Sequence, residues 1–203
     1  GFLETIRPLG TAFPFSSGSM AILDAPNTLT LTPASLAPEI VNPGNTGVPF
    51  LKITAQTDTG TSRVQELLLS RLGHGVDADI SGVRLYMDAN GNGTFEAAAD
   101  NLVSAADGHF AGGELLATFT SSVSSATAGT VPKVYFVVAD ISPGAVPGNR
   151  IAAALLSTAA VHITGPDTIV FSASAFASAA AQIQVVNTLS ATGESVMPPV
   201  VYL

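Results

Sequence analysis

Short alternating runs, each stopped within about a dozen residues by Gly, Pro or Asn, constrain this fold most. Leu29-Thr30-Leu31-Thr32 has a period of two, and Val48 to Ala55 follows across the turn Pro43-Gly44-Asn45-Thr46-Gly47. Arg63 to Leu72 contains the triplet Leu67-Leu68-Leu69, which suits helix or strand, and its strand neighbours favour strand. In Val83 to Met87, residues 83, 85 and 87 share one face. Leu102 to Ala106 and Leu115 to Thr120 read as extended, and Ser121 to Gly129 as a small polar loop. Val131 to Ile141 is apolar on both faces and is the candidate central strand. Val161 to Thr164, Thr168 to Phe171 and Ile183 to Val186 complete the set. Arg150 to Leu156 is ambiguous, because Ala152 to Ala154 favour helix while the run is short for one. Ser172 to Ala181 stays open between helix, loop and strand. About nine strands at this spacing predict an all-β, two-sheet antiparallel sandwich. We place it at 28–187, with an N-terminal arm at 1–27 and a C-terminal arm at 188–203.

Composition narrows the partners. Charged residues are 11% of the 203, against about 25% in an average domain. A surface built from Ser, Thr, Ala, Asn and Gly suits the outside of a cell, or burial by neighbouring copies. The net charge of −8 without a basic run excludes nucleic acid as the expected partner. No run of 18 or more apolar residues exists, so membrane insertion by a helix is not expected. Without cysteine there is no disulfide framework or thiolate metal site. The first residue is Gly1 and not Met, as in a chain secreted after removal of a signal peptide, or in one otherwise trimmed at its start.

The chemistry sits in one stretch, Asp88 to Asp100. Calcium takes six to eight oxygens around a tightly curved backbone. Counted from Asp88, positions 1, 3 and 5 are Asp88, Asn90 and Asn92, and position 6 is Gly93. Thr94 offers a carbonyl, Glu96 a carboxylate, and Asp100 closes the loop one place later than an EF-hand acid. We expect Ca²⁺ on Asp88, Asn90, Asn92, Thr94, Glu96 and Asp100, with an affinity of about 10⁻⁴–10⁻³ M or somewhat tighter. A metal-free Asn-Gly turn explains the glycines but not the acids at 88, 96 and 100. Asn92-Gly93-Thr94 spells a glycosylation sequon, but a glycan would block a ligand position. Asp77, Asp79 and Asp107 are further carboxylates within sequence reach.

The run Asp79 to Glu96, followed by Tyr135-Phe136-Val137-Val138-Ala139-Asp140-Ile141, resembles Ig-like β-sandwich modules of bacterial and archaeal surface proteins. Those modules carry a V-x-L-Y-x-D-x-N-x-N-G-x-F motif ahead of a Y-x-V-V-x-D-I strand. The resemblance covers roughly 48–156 and implies an Ig-like or jelly-roll sandwich with a calcium loop. Modules of this kind occur in adhesins, stalks and fibres, so it leaves the function open.

No catalytic set is present. His74, His109 and His162 are scattered, and no G-x-S-x-G, phosphate loop or dinucleotide fingerprint occurs, so an enzyme is not expected. The arms carry the functional expectation. Phe13/Phe15 and Met20/Ile22 alternate, with Leu23 beside them, as the side chains of an inserted strand do. By design the chain is similar to donor-strand pilins and bacterial matrix fibres. That implies a pilus-like homopolymer in which Phe13, Phe15, Met20, Ile22 and Leu23 contact the next copy. The alternative is a calcium-dependent adhesin or glycan-binding module facing a glycan or host surface, with the arms as linkers.

Overall fold

The computed structural model describes residues 25–105, 108–120, 126–173 and 176–185. Phe13, Phe15, Met20, Ile22, Leu23 and the expected C-terminal arm lie outside them. The described chain is an all-β sandwich of two sheets. No helix among the described residues is long and apolar enough to cross a membrane. The first sheet holds β1 (Thr28–Ser35), β3 (Val48–Thr57), β5 (Ile80–Met87), β6 (Asn101–Leu102), β9 (Lys133–Ile141) and β12 (Thr168–Phe171), in the order β12-β1-β3-β9-β5-β6. The second runs β11 (Val161–Thr164), β4 (Thr61–Leu72), β10 (Arg150–Ala154), β13 (Ala181–Ile183) and β2 (Ile40–Val41). There β7 (Glu114–Thr118) and β8 (Thr127–Gly129) also pair with β4.

Most pairs are antiparallel, as expected, but β1–β12 and β13–β2 are parallel. Both follow from crossovers between sheets. β11 reaches the end of its sheet and turns through Gly165 into the other sheet, so β12 starts where β1 starts. β9 is central, with β3 and β5 on either side. Its residues Tyr135, Val137, Ala139 and Ile141 join the core between the sheets with Leu29, Leu51, Ile53, Leu67, Leu69 and Leu85. Phe136 and Val138 face the other way and are buried too.

Three expectations need correction. Thr127–Gly129 is a strand on β4 rather than loop, because Ser62 pairs with Ala128 and draws that small side chain into the core. The last strand is Ala181–Ile183 rather than 183–186, placed by pairing with Arg150–Ile151 and Ile40–Val41. Leu102 to Ala106 gives a strand only at Asn101–Leu102; beyond it Ser104 bonds across to Leu85 through its hydroxyl.

The strands fix two ends. Thr28, Thr57, Met87 and Lys133 lie at one, here the loop end, and Ser35, Val48, Ile80 and Ile141 at the other. At the opposite end Gly73 has φ +98°, and a Cβ there would stand 2.2 Å from the Arg150 carbonyl oxygen. Gly73→Ala should therefore cost about 2–3 kcal/mol from the left-handed backbone, more if Arg150 must shift. The check is a lower urea midpoint at unchanged slope; an unchanged midpoint would refute the close approach.

Candidate metal centre

β5 delivers the Asp88–Asp100 loop, and the Asp88 N–H still donates to the Val134 carbonyl at 3.0 Å, continuing the ladder with β9. The chain then coils round the Asp88 carboxylate. Its Oδ1 accepts from Gly91 N–H and its Oδ2 from Gly93 N–H, both at 2.7 Å. Gly91 and Gly93 have φ of 72° and 71°, which side chains disfavour. Asn90 Oδ1 accepts from Asn92 N–H at 3.0 Å, and Asn92 Oδ1 from Thr94 N–H at 2.7 Å. These bonds set the position-1, 3 and 5 oxygens along one tight coil.

The two remaining acids act as braces. Glu96 Oε2 accepts from both Asn90 Nδ2 and Asn92 Nδ2 at 2.9 Å. Asp100 is 7% exposed. Its Oδ2 accepts from Glu96 N–H at 2.8 Å and its Oδ1 from Ala89 N–H at 3.3 Å, tying the loop's two ends together. The five side chains predicted as ligands are thus gathered in one bonded loop with Thr94. Asp77 and Asp79 are not: they sit before β5, at its far end, about 26 Å of strand away. Asp77 takes Arg71 Nε at 2.8 Å, and Asp79 braces other loops. Asp107 lies outside the described residues.

The donors are all oxygen, which fits a hard cation such as calcium, and each Asx oxygen that accepts one N–H keeps a second lone pair. The acid density is low. Among the described residues no three His, Cys, Asp or Glu side chains form a metal-holding group. Two of the loop's ring positions are amides, and the Glu96 carboxylate is engaged by those amides. Asp88, Asn90, Asn92 and the Thr94 carbonyl are the residues that could hold the ion, with Glu96 or Asp100 completing the shell by turning.

Sequence spacing missed what the loop rests on. Phe95 meets Tyr86 edge-on at 5.0 Å and Phe136 at 5.7 Å, so the loop folds over the outer face of β5 and β9. Lys52, from β3, donates to the Gly93 carbonyl at 3.0 Å. Alternation could have placed Lys52 on that face, since it is paired with Phe136, but not at the loop. A cleft of about 590 Å³ is lined by Asp88, Gly91, Asn92 and Gly93 of the loop and by Pro132, Lys133 and Val134. Burial holds the Lys133 ammonium below its usual pKa range.

The histidines gather at no site. His162 faces solvent, with Nδ1 2.7 Å from Glu66 Oε2. Compared with known proteins, the chain matches no protein-family model and no curated protein.

Proposed function

We propose that the chain is a structural subunit of an extracellular filament, polymerising by strand donation between copies and stabilised by calcium in the Asp88–Asp100 loop. The observation that supports this reading is that Asn27 and Ile183 lie at opposite ends of the strands. Ala25 to Asn27 enter at the loop end, where Asn27 N–H donates to Asp167 Oδ1 and its carbonyl accepts from Thr168 N–H. Ile183 to Val185 leave at the opposite end, where Gln184 N–H donates to the Val41 carbonyl. Segments that continue from opposite ends of the strands suit a head-to-tail contact, and a heterologous contact that does not close gives an open polymer. In this role the calcium loop is a clamp. Phe95 seals Phe136 on the outer face of the central strand, and the ion would hold the coil that carries Phe95.

Electron microscopy and sedimentation of the full chain in millimolar calcium test the reading. Unbranched polymers are expected, with Phe13→Asp/Phe15→Asp leaving monomers. A parent chain that stays monomeric at high concentration overturns it. The cleft beside the loop favours a second reading, a calcium-dependent glycan-binding module: about 590 Å³ is the size of a small-ligand site. Glycan binding by a chain that stays monomeric is its signature.

A further inference from the structure

We infer that the outer edge of β12 is the acceptor for Phe13–Phe15 of a second copy. This rests on the filament reading and names the surface it would use. β12 ends the six-stranded sheet, and among the described residues β1 is the strand paired with it. Thr168 N–H donates to the Asn27 carbonyl and Ser172 N–H to the Leu31 carbonyl. By alternation Val170 also faces β1, so the N–H and C=O groups of Ile169 and Phe171 point away from the sheet. Without a partner strand among the described residues, these groups are a template for another strand. The side chains match that role. Val170, 42% exposed, looks outward, while Ile169 and Phe171 are half-buried at the margin of the core, with Ile163 of neighbouring β11.

The occupant follows from length and parity. Ten residue steps lead from Phe15 to Ala25, a span of about 33 Å when extended. The ten residues of β3 span the same distance, about 33 Å. An arm leaving the loop end of one copy therefore carries Phe13 and Phe15 one strand length along the copy beyond it, as far as that copy's β12. Parity then fits Pro14. If Phe13 and Phe15 turn their backbone groups toward Ile169 and Phe171, Pro14 points outward, where its missing N–H costs nothing. There it denies the new edge a donor, so that only one strand adds.

Blocking variants of the full chain test this. Ile169→Pro removes an outward N–H together with a side chain at the margin of the core, so it should melt somewhat below the parent; Val170→Lys puts a charge on the solvent face of the edge and should melt like the parent. Each should cut sedimentable polymer at least roughly tenfold. Ile169→Pro mixed with Phe13→Asp/Phe15→Asp should give dimers and no polymer, because one partner can only donate and the other only accept. If both edge variants polymerise like the parent, the β12 assignment is wrong while the filament reading stands. If the parent is monomeric and Val170→Lys lowers its melting temperature, the arm covers its own edge, and both are overturned.

Discussion

Asp79→Ala should lower the unfolding free energy by about 3–4 kcal/mol. The carboxylate is 1% exposed. Its Oδ1 accepts from Val146 N–H at 2.9 Å, and its Oδ2 from Val76 N–H at 2.9 Å and Asn149 Nδ2 at 2.7 Å. It thereby ties the turn before β5 to the 142–149 loop. Alanine leaves these donors without their acceptor, and each such loss costs about 1–3 kcal/mol. Urea unfolding at neutral pH measures it; a loss below about 1 kcal/mol would show that water replaces the carboxylate. The effect carries a pH signature. Burial pushes the Asp79 carboxyl up, but the Val146 and Val76 N–H groups and the Asn149 amide outweigh it, so its pKa lies below 3.8. A carboxylate depressed on folding contributes its stability above the unfolded value and loses it as pH falls through the folded one. The gap between parent and variant should therefore be constant above that range and narrow in stronger acid.

Calcium should raise the melting temperature, and Asp88→Ala should abolish the rise. At calcium a hundredfold above Kd, mass action adds about 2.7 kcal/mol. For a chain of this size that is about 5–10 °C. Asp88 is the proposed first ligand and the acceptor for Gly91 and Gly93, so its loss also loosens the metal-free loop, by about 1–3 kcal/mol. Differential scanning calorimetry with calcium, magnesium and chelator separates the two effects. A calcium shift of equal size in Asp88→Ala would place the ion elsewhere, and no shift in the parent would remove it from the account.

Local alternation and turn chemistry made much of this fold legible. Leu29–Thr32, Val83–Met87, Val161–Thr164 and Thr168–Phe171 all lie in strands, because each side-chain period matches a face the sandwich buries. Leu67-Leu68-Leu69 is strand as well, with Leu67 and Leu69 in the core and Leu68 at its margin. The alanines of β10 left that run ambiguous for a tertiary reason. Ala153 lies in the core, and it lines a cavity of about 10 Å³ together with Phe50 and Phe110. Helix propensity is overruled there by what lies opposite. β2 and β8 are two and three residues long, too short for any period, and exist because a neighbour pairs with them. In the loop, spacing revealed the Asp88, Asn90 and Asn92 coil. It could not reveal that Glu96 and Asp100 are already braces, since that depends on how the coil closes.

In such a filament, the placement of Asn27 and Ile183 at opposite ends of the strands would also set how the domain carries load. Tension applied through them runs along the strands, pulling β1 toward the loop end against β3. Seven residue pairs, Leu29–Thr57 to Ser35–Leu51, link those strands. Their hydrogen bonds lie across the pull, so they would share it in shear rather than open one after another like a zipper.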